Sequence, residues 1–269
     1  MIQNASDLQL STSAVSENPL AAAPFPPLET CALLLDIDGT LLELAPTPSD
    51  VRVPPGLRQT IEALLERTAG ALALVSGRSI DDIDVIFAPS QFPAVGGHGA
   101  ETRLVARGRI APAPIQAIDP DLKQRFAAIA DLAPGILLED KGYSLALHYR
   151  LAPQAEHAIY HAVSMIRAEL PHAPIEILPG KAVCEIKPAG FSKASGVREL
   201  MQRAPFNGRR PVFLGDDVTD ETVFAIMPEL RGLAFSVGRH ASGVAGHFDD
   251  PCHVRAWLEG LLVREGQTA

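Results

Sequence analysis

The sequence predicts an α/β fold in which a parallel sheet wound with helices carries a smaller inserted α+β domain. Short apolar runs alternate with amphipathic helical stretches in both halves of the chain, which is typical of strands that helices cover on both faces. In the middle of the chain, strands instead alternate apolar and polar residues, as in a sheet that packs on one face. A chain of 269 residues is long enough to bury a core in each part.

In the first part of the wound sheet, two apolar runs are predicted to be buried strands: ALLLDI at 32–37 and ALALV at 71–75. The prolines at 54–55 are expected to open the helix between them, because proline suits the first turn of a helix. After the second strand, Ser79 is expected to cap another helix through its hydroxyl. This order of strand, helix, strand and helix predicts parallel pairing.

The same order returns late in the chain. Ser192 is expected to begin a helix, and PVFLG at 211–215 is the next buried strand. A helix is predicted over TDETVFAIM at 219–227, with its first threonine as the cap. A strand over LAFSV at 233–237 and a closing helix with Trp257 on its inward stripe complete the wound sheet.

The middle of the chain has a different pattern. YSLALHYR at 143–150 and KAVCEIK at 181–187 alternate in polarity, so we expect a sheet with one packed face and one open face. Helical stretches at about 119–132 and 153–169 are expected to cover the packed face. The chain therefore divides into a flexible N-terminal tail, a core domain in two pieces and an inserted domain: 1–29, 30–108 with 190–269, and 109–189.

Composition and charge exclude several classes of function. Lys and Arg number 23 against 32 Asp and Glu, a net charge of −9 without a basic cluster, which argues against binding to nucleic acid or to an anionic membrane. No apolar run approaches the roughly 20 residues of a membrane span. Cys31, Cys184 and Cys252 form no close pair, and the first residues lack the features of a secretory signal. We therefore expect a cytoplasmic protein with free thiols.

Two acidic clusters follow the ends of predicted strands. Asp36 and Asp38 are one residue apart on an extended segment, so their side chains point to the same side. Asp216 and Asp217 follow a second strand, and Asp220 lies on the next turn. Ligands of parallel sheets gather at the carboxyl ends of strands, and oxygen-only cages favour hard cations. The five aspartates therefore predict an Mg²⁺ site.

A phosphate site is predicted beside the metal. Ser76 and Gly77 follow the strand at 71–75 and offer a hydroxyl and a flexible amide to phosphate oxygens. Lys193 adds a positive charge at the start of a helix. Such groups stabilise the charge of phosphoryl transfer. Once metal neutralises the carboxylates, one aspartate can attack phosphorus while the other passes protons.

These motifs resemble those of the haloacid dehalogenase superfamily of phosphatases, through DIDGT, SGR, a downstream lysine and GDDVTDE. Over about residues 30–262, the chain more closely resembles the bacterial trehalose-6-phosphate phosphatases. The stretches that carry this resemblance are LLLDIDGTLLE, ALVSGRS, GGHGAE, LHYR, EIKPAGFSKASGV and PVFLGDDVTDE. The resemblance implies a Rossmann-like core with a mobile inserted cap that recognises a sugar.

The resemblance also implies roles for the acidic residues. Asp36 would be the nucleophile that becomes an aspartyl phosphate. Asp38 would be the general acid and base and would give its backbone carbonyl to Mg²⁺. Asp216 would be the second carboxylate on the metal. Asp217 and Asp220 would be further ligands, through water, or would orient the motif lysine.

The remaining implied residues bind the substrate. Ser76 and Lys193 would hold the phosphate, with Gly77 and Arg78 shaping that edge of the site. The sugar-reading residues of the family resemble five charged residues of the insertion: Glu139, Lys141, Arg150, Lys181 and Glu185. Carboxylates and cations together suit hydroxyls, because a sugar hydroxyl both donates and accepts hydrogen bonds. An open sheet face is also polar by default, so each of these five has a second interpretation as surface.

Several other residues allow two interpretations. His98, between glycines in GGHGA, either lines the cleft or packs within its loop. Glu101 and Arg103 belong to the junction with the cap or form a surface ion pair. His148 is a sugar contact or a surface residue, because no second histidine lies at ligand spacing. Trp257 is expected in the core.

We therefore expect a phosphatase that converts trehalose 6-phosphate to trehalose and inorganic phosphate, the final step of trehalose biosynthesis, with Mg²⁺ as cofactor. A trehalose-6-phosphate synthase is the pathway neighbour that such an enzyme implies. One alternative is a phosphatase for another sugar phosphate, such as sucrose 6-phosphate. A second is a non-catalytic subunit that binds sugar phosphates, against which the presence of Asp36, Asp38, Lys193 and Asp216 argues.

Overall fold

The chain forms two sheets with helices against them in a computed structural model, which describes residues 25–47, 50–114 and 116–263. The strands of the described residues are β1 (Cys31–Leu35), β2 (Leu72–Val75), β3 (Ala94–Gly96), β4 (Glu101–Arg103), β5 (Ala111–Pro112), β6 (Leu137–Asp140), β7 (Leu145–His148), β8 (Ile175–Gly180), β9 (Val183–Pro188), β10 (Arg210–Gly215), β11 (Leu233–Val237) and β12 (Gly246–Phe248). The helices are α1 (Leu57–Arg67), α2 (Ile80–Ile86), α3 (Pro120–Ala127), α4 (Glu156–Glu169), α5 (Lys193–Met201), α6 (Val218–Ile226) and α7 (Pro251–Val263).

The larger sheet has the strand order β12-β11-β10-β1-β2-β3-β4-β5. The strands from β12 to β3 pair in parallel, and β4 and β5 continue the sheet antiparallel. β1 lies between β10 and β2, so the residues that follow these three strands meet at one edge. We call this sheet, with α1, α2 and α5 to α7, the core unit.

Helices cover both faces of the larger sheet, which explains the continuous apolar runs of its strands. Leu33 and Leu35 of β1 pack with α1, α2 and α7 on one face. Ala32 and Leu34 pack with α5 and α6 on the other face. Trp257 of α7 lies in the first of these clusters, as the sequence predicts. The predicted α/β class is therefore what the structure has.

The smaller sheet has the order β6-β7-β9-β8 and is antiparallel throughout. α3, α4 and a 3₁₀ turn at Ala128–Leu132 pack on its apolar face around Phe126 and Ile159. We call this unit the cap. The strand β5 falls inside the insertion predicted at 109–189 but pairs with β4 of the core unit. The limits of the insertion stay a prediction.

The prediction that the second face of the cap sheet is open was wrong for part of that face. Ser144, Glu185 and Lys187 alternate with the apolar residues, yet their exposed fractions are only 0%, 5% and 1%. This face turns towards the core unit, where Glu185 lies 3.0 Å from the His98 ring nitrogen. The Lys187 ammonium donates to the carbonyl of Phe191 at 2.5 Å. The face is polar because it borders a site.

Two helix starts differ from their predictions. α1 begins at Leu57, after Gly56, rather than at the prolines; Gly56 has φ +87° and makes the turn that glycine adopts without steric cost. α6 begins at Val218, because Asp217 and not the following threonine is its cap. Asp217 and Asp220 form a reciprocal capping box there.

Most of the N-terminal tail predicted at 1–29 lies outside the described residues. Within its described part, Leu28 is 1% exposed. Phe25 packs edge-to-face on Trp257, with ring centroids 5.3 Å apart. No helix of the described ranges has the length and apolar character needed to cross a bilayer.

Candidate active site

The candidate site lies where the carboxyl ends of β1, β2 and β10 meet. Asp36 follows β1, Ser76 follows β2 and Asp216 follows β10, and each is no more than 3% exposed. Lys193 is the first residue of α5 and is 4% exposed. Parallel pairing therefore brings together three polar residues that are far apart in the sequence, and the start of α5 adds Lys193.

Three buried carboxylates form the centre of the site. Oxygens of Asp36, Asp216 and Asp220 all lie within 4.8 Å of one another, close enough to hold one metal ion. Asp220 is oriented by two backbone amides, those of Asp216 and Asp217, at 2.9 and 3.0 Å from its Oδ2. Residue 215 must be small here, since a Cβ on Gly215 would lie 2.5 Å from the Asp220 carboxyl carbon.

Lys193 bridges two of these carboxylates. Its ammonium donates to Oδ1 of Asp36 at 2.8 Å and to Oδ1 of Asp220 at 2.7 Å. Burial alone would lower the pKa of Lys193, but the charges of Asp220 and Asp36 raise it above its usual value. Lys193 therefore stays charged. Oδ2 of Asp36 is buried and has no hydrogen-bond partner among the described residues.

The three carboxylates carry more negative charge than their protein partners balance. Burial, reinforced by the charge of Asp220, raises the pKa of Asp36 well above its ordinary value. Burial also raises the pKa of Asp216, against the hydrogen bond from Lys181. That bond reaches from the cap, with Lys181 Nζ 2.5 Å from Asp216 Oδ2. A cation suits this surplus of charge.

The carboxylate of Asp38 faces a different partner from that of Asp36. Arg78 donates to it twice, from Nε at 2.6 Å and from Nη2 at 2.7 Å. The backbone amide of Arg78 also donates to Oγ of Ser76 at 3.1 Å. Arg78 therefore connects the proposed proton donor to the proposed phosphate loop. Asp217, predicted as a further ligand, accepts from the amide of Val218 at 2.7 Å as a helix cap.

The cap brings its charged residues to the same cleft. Lys141 donates to the carbonyl of Gly77 at 3.0 Å and to Oε2 of Glu185 at 3.1 Å. Arg150 donates to the carbonyls of Ala45 and Lys181. The bonds to Ala45 and Gly77 join the cap to the loops after β1 and β2.

Two cap carboxylates have lowered pKa values. Burial alone would raise the pKa of Glu185, but the charges of Lys141 and His98 hold it well below its usual range. Burial also opposes ionisation of Glu139, yet its hydrogen bond with His148, 2.7 Å from Nε2, lowers the pKa of Glu139. Both acids are therefore ionised at neutral pH and can accept hydrogen bonds from hydroxyls.

The predicted site residues line one solvent-accessible cleft. It contains residues of the core unit and of the cap: Asp36, Asp38, Ser76, Gly77, Arg78, Glu139, Lys141, Arg150, Lys181, Glu185, Lys193, Asp216 and Asp217. Asp220 lies behind them at 0% exposure and reaches the site through Lys193. A concave site with several convergent polar side chains suits a small-molecule ligand.

Sequence reasoning left out part of this lining. The segment after β1, including Ala45 and Thr47, forms one wall, although nothing in its sequence marks it as functional. His98 and His148, each of which the sequence left with two interpretations, both line the cleft.

Arg103 has neither of its predicted roles. It is 1% exposed and donates to both carboxylate oxygens of Asp84, at 2.7 and 2.5 Å. Its Nε donates to the carbonyl of Phe92 at 2.8 Å. Glu101 instead accepts from the amide of Ile80 at 2.8 Å. These contacts hold α2 and the edge strands in place beside the site.

Known proteins with related sequences are phosphatases. The family described as Trehalose-phosphatase matches residues 34–247. The chain is 39% identical over 249 residues to the trehalose-6-phosphate phosphatase of Escherichia coli (strain K12), covering 92% of this chain and 90% of that protein. It is 42% identical over 233 residues to a probable trehalose-phosphate phosphatase of Sinorhizobium fredii (strain NBRC 101917 / NGR234), covering 86% of each.

Solved structures share the fold. The C-terminal domain of trehalose-6-phosphate phosphatase from C. albicans superposes with a TM-score of 0.78 at 19% identity, covering 87% of this chain and 92% of that chain. A phosphatase of the haloalkanoate (HAD) enzyme superfamily, from Bacteroides thetaiotaomicron, has a TM-score of 0.55 at 14% identity, covering 90% and 98%. The predicted fold class, an α/β core of this superfamily with an inserted α+β cap, is confirmed. Because the family match and both bacterial relatives extend over most of the chain, the chain belongs to the trehalose-phosphatase family.

Proposed function

We propose that this chain is a Mg²⁺-dependent phosphatase that hydrolyses trehalose 6-phosphate through an aspartyl-phosphate intermediate. Family membership supports the substrate. The observation that carries the chemistry is Asp36, a buried carboxylate at the cleft whose Oδ1 is held by Lys193 and whose Oδ2 is unpartnered. The proposal places the reaction in the cytoplasm, after a trehalose-6-phosphate synthase has made the substrate.

The donor set fits Mg²⁺. Asp36, Asp216 and Asp220 offer only oxygen ligands within 4.8 Å of one another, and the two lysines bonded to them leave part of their negative charge unbalanced. Hard cations prefer such carboxylate oxygens. Asp38, through its backbone carbonyl, and Asp217 complete the proposed set. When bound, the cation supplies positive charge that offsets the carboxylates and polarises the phosphate.

In the first proposed step, Oδ2 of Asp36 attacks phosphorus while the bond from phosphorus to the sugar oxygen breaks. The departing oxygen takes the proton of the Asp38 carboxyl group, so trehalose leaves as a neutral alcohol. Lys193 fixes the direction of attack, because it anchors the other oxygen of Asp36. Ser76 and the amides after it hold the phosphate oxygens. Arg78 must release Asp38 for proton transfer.

In the second proposed step, a water molecule attacks the phosphorus of the aspartyl phosphate. Asp38, now a carboxylate, takes a proton from this water, and the bond between phosphorus and Asp36 breaks. Inorganic phosphate is released and both aspartates return to their starting state. Arg78 stabilises the ionised form of Asp38 through its two hydrogen bonds.

The cap supplies the proposed sugar site. Its ionised carboxylates and cations face the cleft: Glu139, Lys141, Arg150, Lys181 and Glu185. These groups match hydroxyls that donate and accept. Lys141 and Lys181 already bond to acceptors of the core unit. A sugar phosphate that binds between the units would exchange some of these contacts for its own.

The experiment is phosphate release by the purified protein with Mg²⁺ or with EDTA. Trehalose 6-phosphate, sucrose 6-phosphate and glucose 6-phosphate are compared. We expect metal-dependent release with a preference for trehalose 6-phosphate. A preference for another sugar phosphate would refute the substrate assignment, and no release from any ester would favour a non-catalytic binding protein.

Asp36→Asn tests the nucleophile in the same assay. We expect loss of turnover with an unchanged circular dichroism spectrum, because the amide cannot attack phosphorus but fills the same space. Asp131→Asn, on the exposed surface of the cap, is the matched control and is expected to retain full turnover. Full activity of Asp36→Asn would end the nucleophile assignment.

A further inference from the structure

His98 occupies a loop conformation that its side chain disfavours. Its φ is +54° and its ψ is +28°, in the left-handed region that few residues other than glycine adopt. The neighbours Gly97 and Gly99 also have positive φ values, +56° and +102°. The Nδ1 atom of His98 is buried without a hydrogen-bond partner among the described residues. The left-handed backbone and the unpartnered Nδ1 both lower the stability of the fold, so a requirement for stability does not explain why a histidine occupies this position.

The backbone of this loop is bonded to the proposed phosphate loop. The amide of His98 donates to the carbonyl of Ser76 at 3.0 Å, and the amide of Gly97 donates to that of Arg78 at 2.7 Å. The ring of His98 lies directly over Gly77, where a Cβ would come within 2.4 Å of Nε2. The SGR and GGHGA motifs therefore form one rigid unit.

The side chain of His98 reaches across to the cap. Its Nε2 lies 3.0 Å from Oε2 of Glu185, which is 5% exposed. A carboxylate only accepts hydrogen bonds, so Nε2 carries the proton. Glu185 has two further donors, and both belong to the cap: Ser144 at 2.8 Å and Lys141 at 3.1 Å. Among the described residues, His98 is thus the donor to the Glu185 carboxylate that comes from the core unit.

The cap also packs against the same loop beside His98. A Cβ on Gly97 would lie 2.1 Å from the hydroxyl oxygen of Tyr143, a cap residue. A Cβ on Gly99 would lie 2.2 Å from the carbonyl of Ser192, which precedes Lys193. Residues 97–99 therefore contact the cap, the phosphate loop and the start of α5 at once.

From this geometry we infer that His98 is a positioning residue that makes the enzyme selective for sugar phosphates, by holding Glu185 at a fixed distance from the phosphate loop. The inference rests on the proposed function. Glu185 meets the sugar while Ser76 meets the phosphate, and His98 sets the spacing between them. Substrates without hydroxyls do not use Glu185, so they do not depend on this spacing.

The test measures a selectivity ratio, kcat/KM for trehalose 6-phosphate divided by kcat/KM for p-nitrophenyl phosphate. Each ratio is taken on one preparation, so the fraction of folded enzyme cancels. His98→Gly removes the side chain and suits the positive φ. His98→Gln keeps an N–H donor near the position of Nε2. His172→Gly, at an exposed turn of the cap, is the matched control.

We expect His98→Gly to lower the ratio about tenfold or more, as the loss of a hydrogen bond to a buried charged group predicts. His98→Gln should recover it to within about threefold of the wild type, and His172→Gly should leave it unchanged. Calorimetric titration with trehalose should show the same order of affinities, independently of turnover.

An unchanged ratio in His98→Gly would overturn the inference, as would a Gln variant no better than the Gly variant. Equal losses on both esters would assign His98 to the phosphate loop instead. The proposed function fails separately, if the wild-type enzyme releases no phosphate from trehalose 6-phosphate.

Discussion

Replacing Lys193 by methionine should destabilise the fold strongly when no divalent cation is present. The ammonium is 4% exposed and lies 2.8 and 2.7 Å from carboxylates of Asp36 and Asp220. Methionine has a similar length, so little cavity forms, but both carboxylates lose their buried counter-charge. Breaking a buried ion pair by removing one partner costs about 3–5 kcal/mol. For a chain near this size, that is a fall in Tm of roughly 6–20 °C.

The assay is unfolding by urea and by heat at pH 7, followed by circular dichroism in EDTA. EDTA is necessary because a bound cation would replace the lost positive charge. Arg198→Met is the matched control: it lies on the same helix, its ion pair with Glu229 is exposed, and we expect no measurable change. The double variant Lys193→Met/Asp220→Asn removes one unpaired charge and should recover about 1–3 kcal/mol relative to additivity.

An unfolding midpoint of Lys193→Met equal to that of the wild type in EDTA would refute this reasoning. It would mean that Asp36 and Asp220 need no counter-charge in the folded state. Additive effects in the double variant would also refute it, because the loss would then come from packing. Turnover should be lost in both variants, since Asp36 loses its anchor.

Three further changes have defined outcomes. Gly77→Ala places a Cβ 2.4 Å from the ring of His98, so kcat/KM for trehalose 6-phosphate should fall about a hundredfold. The double variant Gly77→Ala/His98→Gly should have a kcat/KM no lower than that of His98→Gly alone. Glu185→Gln should destabilise the fold at neutral pH. Because the folded pKa of Glu185 is lowered, the ionised carboxylate contributes to the free energy of unfolding above its unfolded pKa of about 4.3, and this contribution is lost as the pH falls. The urea midpoints of the wild type and the variant should therefore converge in acid. Arg103→Met should lower the free energy of unfolding in urea by about 3–5 kcal/mol, because it breaks the buried pair with Asp84. Turnover per folded molecule should stay unchanged. A loss of turnover without a loss of stability would contradict this prediction.

The core unit was predictable because its strands are buried on both faces. The apolar runs of β1, β2 and β10 are each followed by polar residues at the carboxyl end of the strand, and parallel strands align these ends. Asp36, Ser76 and Asp216 were therefore identified together from the sequence. Their roles stay proposals that the experiments above test.

The distribution of partners among the aspartates was not predictable. Five acids were grouped around one metal, but the carboxylate of Asp38 bonds to Arg78 and that of Asp217 caps a helix. The cluster of three carboxylates contains Asp36, Asp216 and Asp220, and Lys193 joins Asp220 to Asp36. Spacing along the chain fixes the side of a strand to which a residue points, but it does not fix its distances to residues on other elements.

The cap shows the same limit. Alternation correctly indicated a sheet with one packed apolar face, yet it gave no sign that Glu185 and Lys187 on the other face are buried. The alternation of apolar and polar residues along a strand shows only which face packs against the helices of the same unit. Burial of the second face depends on the docking of the cap against the core unit, which the hydrogen bonds of His98 and Lys141 describe.

The sequence by itself determined the two kinds of sheet, the edge at which the site lies and the chemical types of its side chains, because these follow from local polarity and strand direction. Only the tertiary structure decided which acid faces which cation, and which loop of the core unit meets the cap carboxylate. Those contacts join residues up to 157 positions apart. They depend on strand order and on docking between units, which no local pattern encodes.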